Sequence, residues 1–227
     1  MNTFVQNATR LLGKTGDIEN LADLEKAVIL VISDSHGSYY SLKTAIEQFG
    51  SGCDAMIFCG DGINDIARLS AECAEDPKLA EMVPAVIGIV EGNNDPDRYP
   101  LTVALDSGAA LMEVEVPLNN TIDVADHRIL FTHGHRYSLY DGFGDLRNLA
   151  STFDCSAVFY GHTHVGGCAL TCGNIFALNP GSCARPRMGQ PPCFSVVTIE
   201  KEKNCYDSVF YQVVPGKCVP YIPDSLV

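Results

Sequence analysis

The clearest pattern along the chain is a series of short apolar runs, each closed by a small or polar residue. Ala27-Val28-Ile29-Leu30-Val31-Ile32 is unbroken in hydrophobic residues, too short for a helix with its flanks, and suited to a strand buried on both faces. It stops at Asp34. Ser38 then caps a stretch with Leu42, Ala45, Ile46 and Phe49 on one helical face, which Gly50 and Gly52 end. The run Ala55-Met56-Ile57-Phe58-Cys59 delivers Gly60-Asp61, a polar helix follows from Ile63 to Ala74, and Ala85-Val86-Ile87-Gly88-Ile89-Val90 leads into Gly92-Asn93-Asn94-Asp95. This βαβαβ order predicts parallel strands with right-handed crossovers, whose carboxyl ends share one edge.

The second half changes character. Val103–Leu105, Ala110–Val116, Ile122–Val124, Arg128–Thr132, Ala157–Tyr160, Val165–Leu170, Asn174–Leu178, Phe194–Ile199 and Val209–Val214 read as strands, and only Asp145–Thr152 as a helix. Many closely spaced strands after an α/β start predict a second sheet packed against the first, with helices outside. The N-terminal 26 residues read differently. Phe4, Ala8, Leu11 and Leu12 form a helical stripe, Thr3 with Gln6 fits a capping box, and Gly13 and Gly16 end the pattern. Residues 1–26 are therefore expected to be a helical extension, packed on the main domain or on a second copy in a homo-oligomer. Residues 27–218 are expected to form one domain and 219–227 a loose tail.

A chain of 227 residues with 46% hydrophobic residues can bury a full core, and no linker, repeat or long charge block divides it. The net charge of −13 repels DNA, RNA and anionic lipid surfaces, which leaves small molecules as the expected partners. Ten cysteines without a CxxC pair, and an N-terminus without a basic segment and apolar core, predict reduced thiols and a cytoplasmic protein. No run has the length of a membrane helix.

The polar residues that close the apolar runs carry the chemistry. Asp34-Ser35-His36, Gly60-Asp61, Gly92-Asn93-Asn94-Asp95, His133-Gly134-His135 and Gly161-His162-Thr163-His164 all stand at strand ends, and five of the six histidines fall within them. Imidazole and carboxylate groups converging on one sheet edge predict a metal-dependent enzyme.

In this order the five blocks resemble the calcineurin-like metallophosphoesterase superfamily. Asp34-Ser35-His36-Gly37, Thr132-His133-Gly134-His135 and Asn179-Pro180-Gly181-Ser182 are similar to its small prokaryotic phosphodiesterase branch. The resemblance covers roughly residues 27–200. It implies a four-layer α-β-β-α sandwich of two mixed β-sheets, and it implies that Asp34, His36 and His164 bind one metal while Asn93, His133 and His162 bind another. Asp61 would bridge them. Two cations about 3.5 to 4 Å apart can share a carboxylate and a hydroxide, activate that hydroxide as nucleophile and clamp the phosphoryl oxygens. The mixed N/O set admits Mn²⁺, Fe, Ni²⁺ and Zn²⁺, with Mn²⁺ preferred here. Asn93, Asn94 and His135 would face the substrate, and Asp61, Asn94, Asp95 and His135 would form the catalytic group, with Asp95 orienting its neighbour.

One position departs from the family. Many members have histidine where Asn94 stands and the small branch commonly has cysteine, whereas an amide cannot supply a proton near neutral pH. The implied activity is dinuclear phosphodiester hydrolysis of small esters. The alternatives are a phosphomonoesterase of the same fold and a non-catalytic scaffold, as in the retromer subunit of this fold. Seven competent ligand positions favour an enzyme. Arg185 and Arg187 stand where they could steer an anion, and specificity is expected from loops near residues 62–66, 95–102 and 136–144.

Overall fold

A computed structural model of the chain describes residues 1–171, 174–202 and 206–223. Helix α1 (Thr15–Asn20) precedes strand β1 (Lys26–Ile32), helix α2 (Tyr39–Phe49) leads to β2 (Ala55–Phe58), and helices α3 (Ile63–Glu75) and α4 (Pro77–Met82) lead to β3 (Val86–Ile89). Then come β4 (Arg98–Leu105), β5 (Gly108–Glu115), β6 (Asn119–Val124), β7 (His127–Thr132), helix α5 (Gly144–Thr152) and β8 (Ala157–Tyr160). Strands β9 (Gly167–Leu170), β10 (Phe176–Asn179), β11 (Cys193–Glu200), β12 (Tyr206–Val214) and β13 (Lys217–Tyr221) complete the described chain. The short helix α4 escapes the periodicity reading. Its signal is local, since Asp76 accepts from the backbone of Lys78 and Leu79 and Pro77 opens the helix.

Among the described residues the strands form a six-stranded sheet in the order β13-β12-β11-β1-β2-β3, a five-stranded sheet β6-β7-β8-β10-β9, and the pair β4-β5. Both large sheets are mixed. Strands β1, β2 and β3 are parallel, as are β7, β8 and β10, and the flanking pairs are antiparallel. Alternation along each strand divides the core into layers. Ile29, Val31 and Ile57 of the first sheet meet Ile129, Phe131 and Phe159 of the second. The intervening Leu30, Ile32, Met56 and Phe58 pack under Leu42, Ile46, Ile66 and Leu69 of α2 and α3. On the far side, Leu146 and Ala150 of α5 cover Leu130 and Val158. The result is the expected α-β-β-α sandwich. Among the described residues no helix is long and apolar enough to cross a membrane.

The N-terminal extension differs from its expectation. Residues 3–12 are not helical, and the helix begins only at Thr15. Leu12 instead pairs with Ile87 of β3, each donating its N–H to the other's carbonyl at 2.8 and 2.9 Å. Gln6, expected in a capping box, grips the backbone N–H and C=O of Glu115 on β5. A spacing compatible with a helix is overridden because the open edge of β3 offers Leu12 backbone partners, while Phe4, Leu11 and Leu12 still bury their side chains. The arm packs on its own domain. The tail is corrected as well, because Val219, Pro220 and Tyr221 lie in β13 opposite Gln212, Tyr211 and Phe210 of β12. Residues 224–227 of that expected tail lie outside the described residues.

The extended arm makes a prediction that the helical stripe does not. Leu12 is fully buried and Ala8 exposed, so Leu12→Ala should cost about 2–5 kcal/mol in urea unfolding. Ala8→Asp should cost less than about 0.5 kcal/mol. Comparable losses at both positions would restore the helical stripe.

Candidate metal centre

Six parallel strands deliver their carboxyl ends to one edge of the sandwich. β1 leads into Asp34-Ser35-His36, β2 into Gly60-Asp61, β3 into Asn93-Asn94-Asp95, β7 into His133, β8 into His162-Thr163-His164, and β10 into Asn179-Pro180-Gly181-Ser182. The chain turns abruptly at these exits. Asp34, His36, Asp61, His162 and His164 all have left-handed φ between 44° and 66°, a conformation that costs a non-glycine residue of order 1–3 kcal/mol. Two glycines are demanded by close approach: a Cβ at Gly92 would strike the Asp61 carboxylate, and one at Gly161 would strike Ser33 Oγ and Asp34 Oδ2.

The donor atoms meet as two sets. Asp34, His36 and His164 form one triad of ligand atoms within 4.8 Å of one another, and Asp34, Asp61 and His133 form another. Asn93 Oδ1 lies 3.3 Å from His133 Nε2 and 3.0 Å from His162 Nδ1, which completes the second group. Asp61 Oδ2 stands between the sets, 3.7 Å from His36 Nε2 and 3.6 Å from His133 Nε2. Asp34 shares this position, its Oδ1 lying 3.0 Å from His164 and 4.0 Å from His133. All seven expected ligands are therefore brought together.

The surroundings fix which lone pairs face inward. His133 Nδ1 donates to the Cys59 carbonyl at 2.8 Å and His164 Nδ1 to the Arg185 carbonyl at 2.6 Å. A carbonyl can only accept, so each neutral ring carries its proton on Nδ1 and presents a bare Nε2 to the centre. Asp34 Oδ2 accepts from Ser33 Oγ at 2.6 Å and from the His162 N–H at 3.1 Å, while the buried Oδ1 has no hydrogen-bond donor. A buried carboxylate oxygen among bare imidazole nitrogens is a cavity shaped for cations. The residues present fit divalent metal ions.

Titration follows the same fields. Burial, opposed by Asp34 and Asp61, lowers the pKa of His36, and burial with the nearby His133 lowers that of His162. At His164 burial is the largest influence and pulls the pKa down. The nearby Asp34 carboxylate, with the Arg185 carbonyl, outweighs it and leaves the pKa raised.

One expected role changes. Asp95 does not orient Asn94. Its Oδ2 accepts from the N–H of Asp61 at 2.6 Å and of Gly92 at 3.0 Å, and its Oδ1 from Gly62 and Ile63, both at 3.0 Å. With four backbone donors it moors the Asp61 turn and the start of α3. Asn94 lines the cleft, but its amide donates to Asp61 Oδ2 at 2.7 Å and its N–H to Oδ1 at 2.8 Å. His135 stands beside the second donor set. Its half-buried ring packs beside His133 and His162, with centroids 5.4 and 6.3 Å away.

Other supports have weaker sequence signals. Asn179 donates to the Gly161 carbonyl at 2.8 Å and to Thr163 Oγ1 at 3.0 Å, bracing the His162-His164 turn. Ser182 Oγ donates to the Asp34 carbonyl at 2.7 Å. Buried Asp65 on α3 accepts from Ser35 Oγ at 2.5 Å and Gly37 N–H at 3.0 Å, and burial raises its pKa against those bonds. An acid beside Ile66 on the buried face of α3 was the available clue. The cleft over the donors, about 480 Å³, is completed by Arg185, Pro186 and Arg187.

The sequence model of the calcineurin-like phosphoesterase superfamily domain matches residues 28–202. The probable metallophosphoesterase YsnB of Bacillus subtilis is 26% identical over 77% of this chain and 85% of its own length. The phosphodiesterase YfcE of Escherichia coli is 29% identical over 74% of this chain and 86% of its own. Among solved structures, vacuolar protein sorting 29 of Cryptosporidium parvum superposes with a TM-score of 0.60 at 18% identity, covering 87% of this chain and 97% of that one. It shares the fold.

The mooring by Asp95 is testable apart from catalysis. Asp95→Ala leaves four backbone donors without their acceptor and should cost about 2 kcal/mol or more in denaturant unfolding. Asp95→Asn, which keeps one acceptor oxygen, should cost less. An Asp95→Ala protein of undiminished stability and metal content would remove this role.

Proposed function

We propose, for a chain that belongs to the calcineurin-like phosphoesterase superfamily, that the cleft is a dinuclear metal-dependent phosphodiesterase site for small phosphate esters. The observation that supports it most is the meeting of two donor sets at Asp34 and Asp61, with the unsatisfied Asp34 Oδ1 between imidazole nitrogens. Asp34, His36 and His164 would hold one ion, Asn93, His133 and His162 the other, and Asp61 both. The chemistry such ions supply when bound is Lewis acidity toward the phosphoryl oxygens and a lowered pKa for water. Mn²⁺ is our choice among the ions that an N/O set admits.

The chain's own residues set the rest. The Cys59 and Arg185 carbonyls hold His133 and His164 in the tautomer a ligand needs. Asn93 offers a neutral amide oxygen and leaves more positive charge for the substrate than a carboxylate would. Asn94 ties down Asp61 and cannot release a proton, so a leaving group departs without an acid from that position. This favours esters of acidic alcohols over simple alkyl monoesters. A scaffold has no use for seven competent donors, so their retention supports an enzyme. The thiols, free among the described residues, suit a cytoplasmic setting.

The purified protein should carry about two transition-metal ions per chain, and chelation should abolish hydrolysis of bis(p-nitrophenyl) phosphate until Mn²⁺ is returned. Asp61→Asn should lower turnover by at least about 100-fold with an unchanged circular dichroism spectrum. Metal content near zero, or turnover indifferent to chelator, would refute the reading.

Asn94→His would install a titratable donor at the cleft wall. In a leaving-group series at fixed Mn²⁺ it should raise turnover on alkyl esters more than on nitrophenyl esters, giving a shallower dependence on leaving-group pKa. Equal slopes for the two proteins would place leaving-group assistance elsewhere.

A further inference from the structure

The mouth of the cleft carries two arginines that the hydrolysis described above does not use. Arg185 and Arg187 both line it and both are exposed. Arg185 stands near enough to His36, and Arg187 to His162 and His164, for their charges to be felt there. Among the described residues neither has a carboxylate within 4.0 Å, whereas Arg10, Arg68, Arg98 and Arg128 each do. In a chain with 28 acidic and 15 basic residues, two unpaired guanidinium groups on one wall concentrate positive charge against the prevailing field.

The segment that carries them is fixed to the donor loops. The Arg187 N–H donates to the His164 carbonyl at 3.0 Å, His164 Nδ1 donates to the Arg185 carbonyl at 2.6 Å, and the Arg185 N–H donates to Ser182 Oγ at 2.7 Å. Pro186 stiffens the backbone between the two arginines. Arg187 Nη1 also donates to Tyr140 Oη at 3.4 Å, and the Tyr140 ring is 76% exposed at the rim. These bonds register the backbone of both arginines to His164, and Tyr140 gives the Arg187 side chain a partner at the rim.

A scissile diester brings a single negative charge, which two divalent ions already neutralise. The arginines exceed what that group requires. We propose that the substrate is a phosphodiester bearing a second anionic group, a carboxylate or a phosphate, on the portion that projects from the cleft, and that Arg185 and Arg187 bind that group while Tyr140 positions Arg187. Planar guanidinium forks match both anions in two-point contact. This assignment rests on the hydrolase reading of the same site.

The test uses metal-loaded protein and three nitrophenyl phenyl diesters, one plain, one with a para-carboxylate and one with a para-phosphonate on the phenyl ring. Wild type should show a KM for a charged diester about tenfold or more below that for the plain one. Arg185→Ala, Arg187→Ala and the double variant should raise KM far more for the charged diesters, so that the preference collapses. Arg187→Lys should restore part of it. The better of the two charged substrates identifies the anion. No preference in wild type, or equal losses on all three diesters, would overturn the proposal. Calorimetry of phenylphosphonate against 4-carboxyphenylphosphonate keeps the two readings separable. If no diester is cleaved, the hydrolase reading falls. The arginine site then stands only if wild type binds the carboxylated compound at least about fivefold tighter and the double variant does not. Equal binding would overturn it.

Discussion

Two carboxylates almost without water, Asp34 and Asp61, set the terms for the rest of the structure. They are 0% and 2% exposed, and their charges approach the same imidazole rings. Burying an ionised carboxylate costs several kcal/mol unless donors or cations replace the lost water. The chain supplies only part of the replacement. Ser33 and the His162 N–H serve one oxygen of Asp34, and Asn94 serves both oxygens of Asp61, but Asp34 Oδ1 has no donor. Burial with incomplete protein satisfaction leaves a favourable place for positive charge. The raised pKa of His164 is the same field acting on a proton.

Bringing those carboxylates together strains the backbone, and the strain explains residues that touch no substrate. Left-handed turns at Asp34, His36, Asp61, His162 and His164 persist only where neighbours over-determine them. Asp95 ties the exit of β3 to the exit of β2. Asp65 ties α3 to the exit of β1. Asn179 and Ser182 tie the exit of β10 to those of β8 and β1. Each brace joins loops that lie far apart in sequence, so donor positions are set by a network rather than by any single loop.

This division explains what was legible in the sequence. The strands of the sandwich announce themselves because burial on both faces requires an unbroken apolar run, as in Ala27–Ile32, and the donors are visible because they follow such runs at once. The partners of those donors were not legible. Asn94 and Asp95 are neighbours in sequence, yet one turns its side chain to a carboxylate and the other to four backbone N–H groups. Their adjacency in sequence does not reveal which way each side chain turns. His135 shares a tripeptide with His133 but not its bond to the Cys59 carbonyl, and its ring packs against His133 with a buried Nδ1 that has no hydrogen-bond partner. The arm failed for another reason. Phe4, Ala8, Leu11 and Leu12 satisfy helical spacing, and only the open edge of β3 decides for an extended backbone. Pro220 in β13 follows the same logic, being tolerated because that strand lies at the sheet's edge.

Donor chemistry and specificity are consequently built from different parts of the chain. The donors sit on strand ends whose directions the two sheets dictate, which leaves little room for variation without loss of the centre. The walls above them carry exposed side chains, Arg185 and Arg187 from the segment after β10 and Tyr140 from a short turn, while Cys183 and Leu139 of the same segments anchor them to the core. Those exposed side chains can change charge and shape at little cost to folding. An acidic surface around an arginine-bearing mouth also gives direction to association, since a small anion repelled over most of the protein meets positive charge at the cleft. A long polyanion would have to lie against the acidic surface as well and would lose that advantage. On the proposed reading, the same charge distribution would admit small anionic esters and disfavour nucleic acid without any residue of the donor sets taking part in the choice.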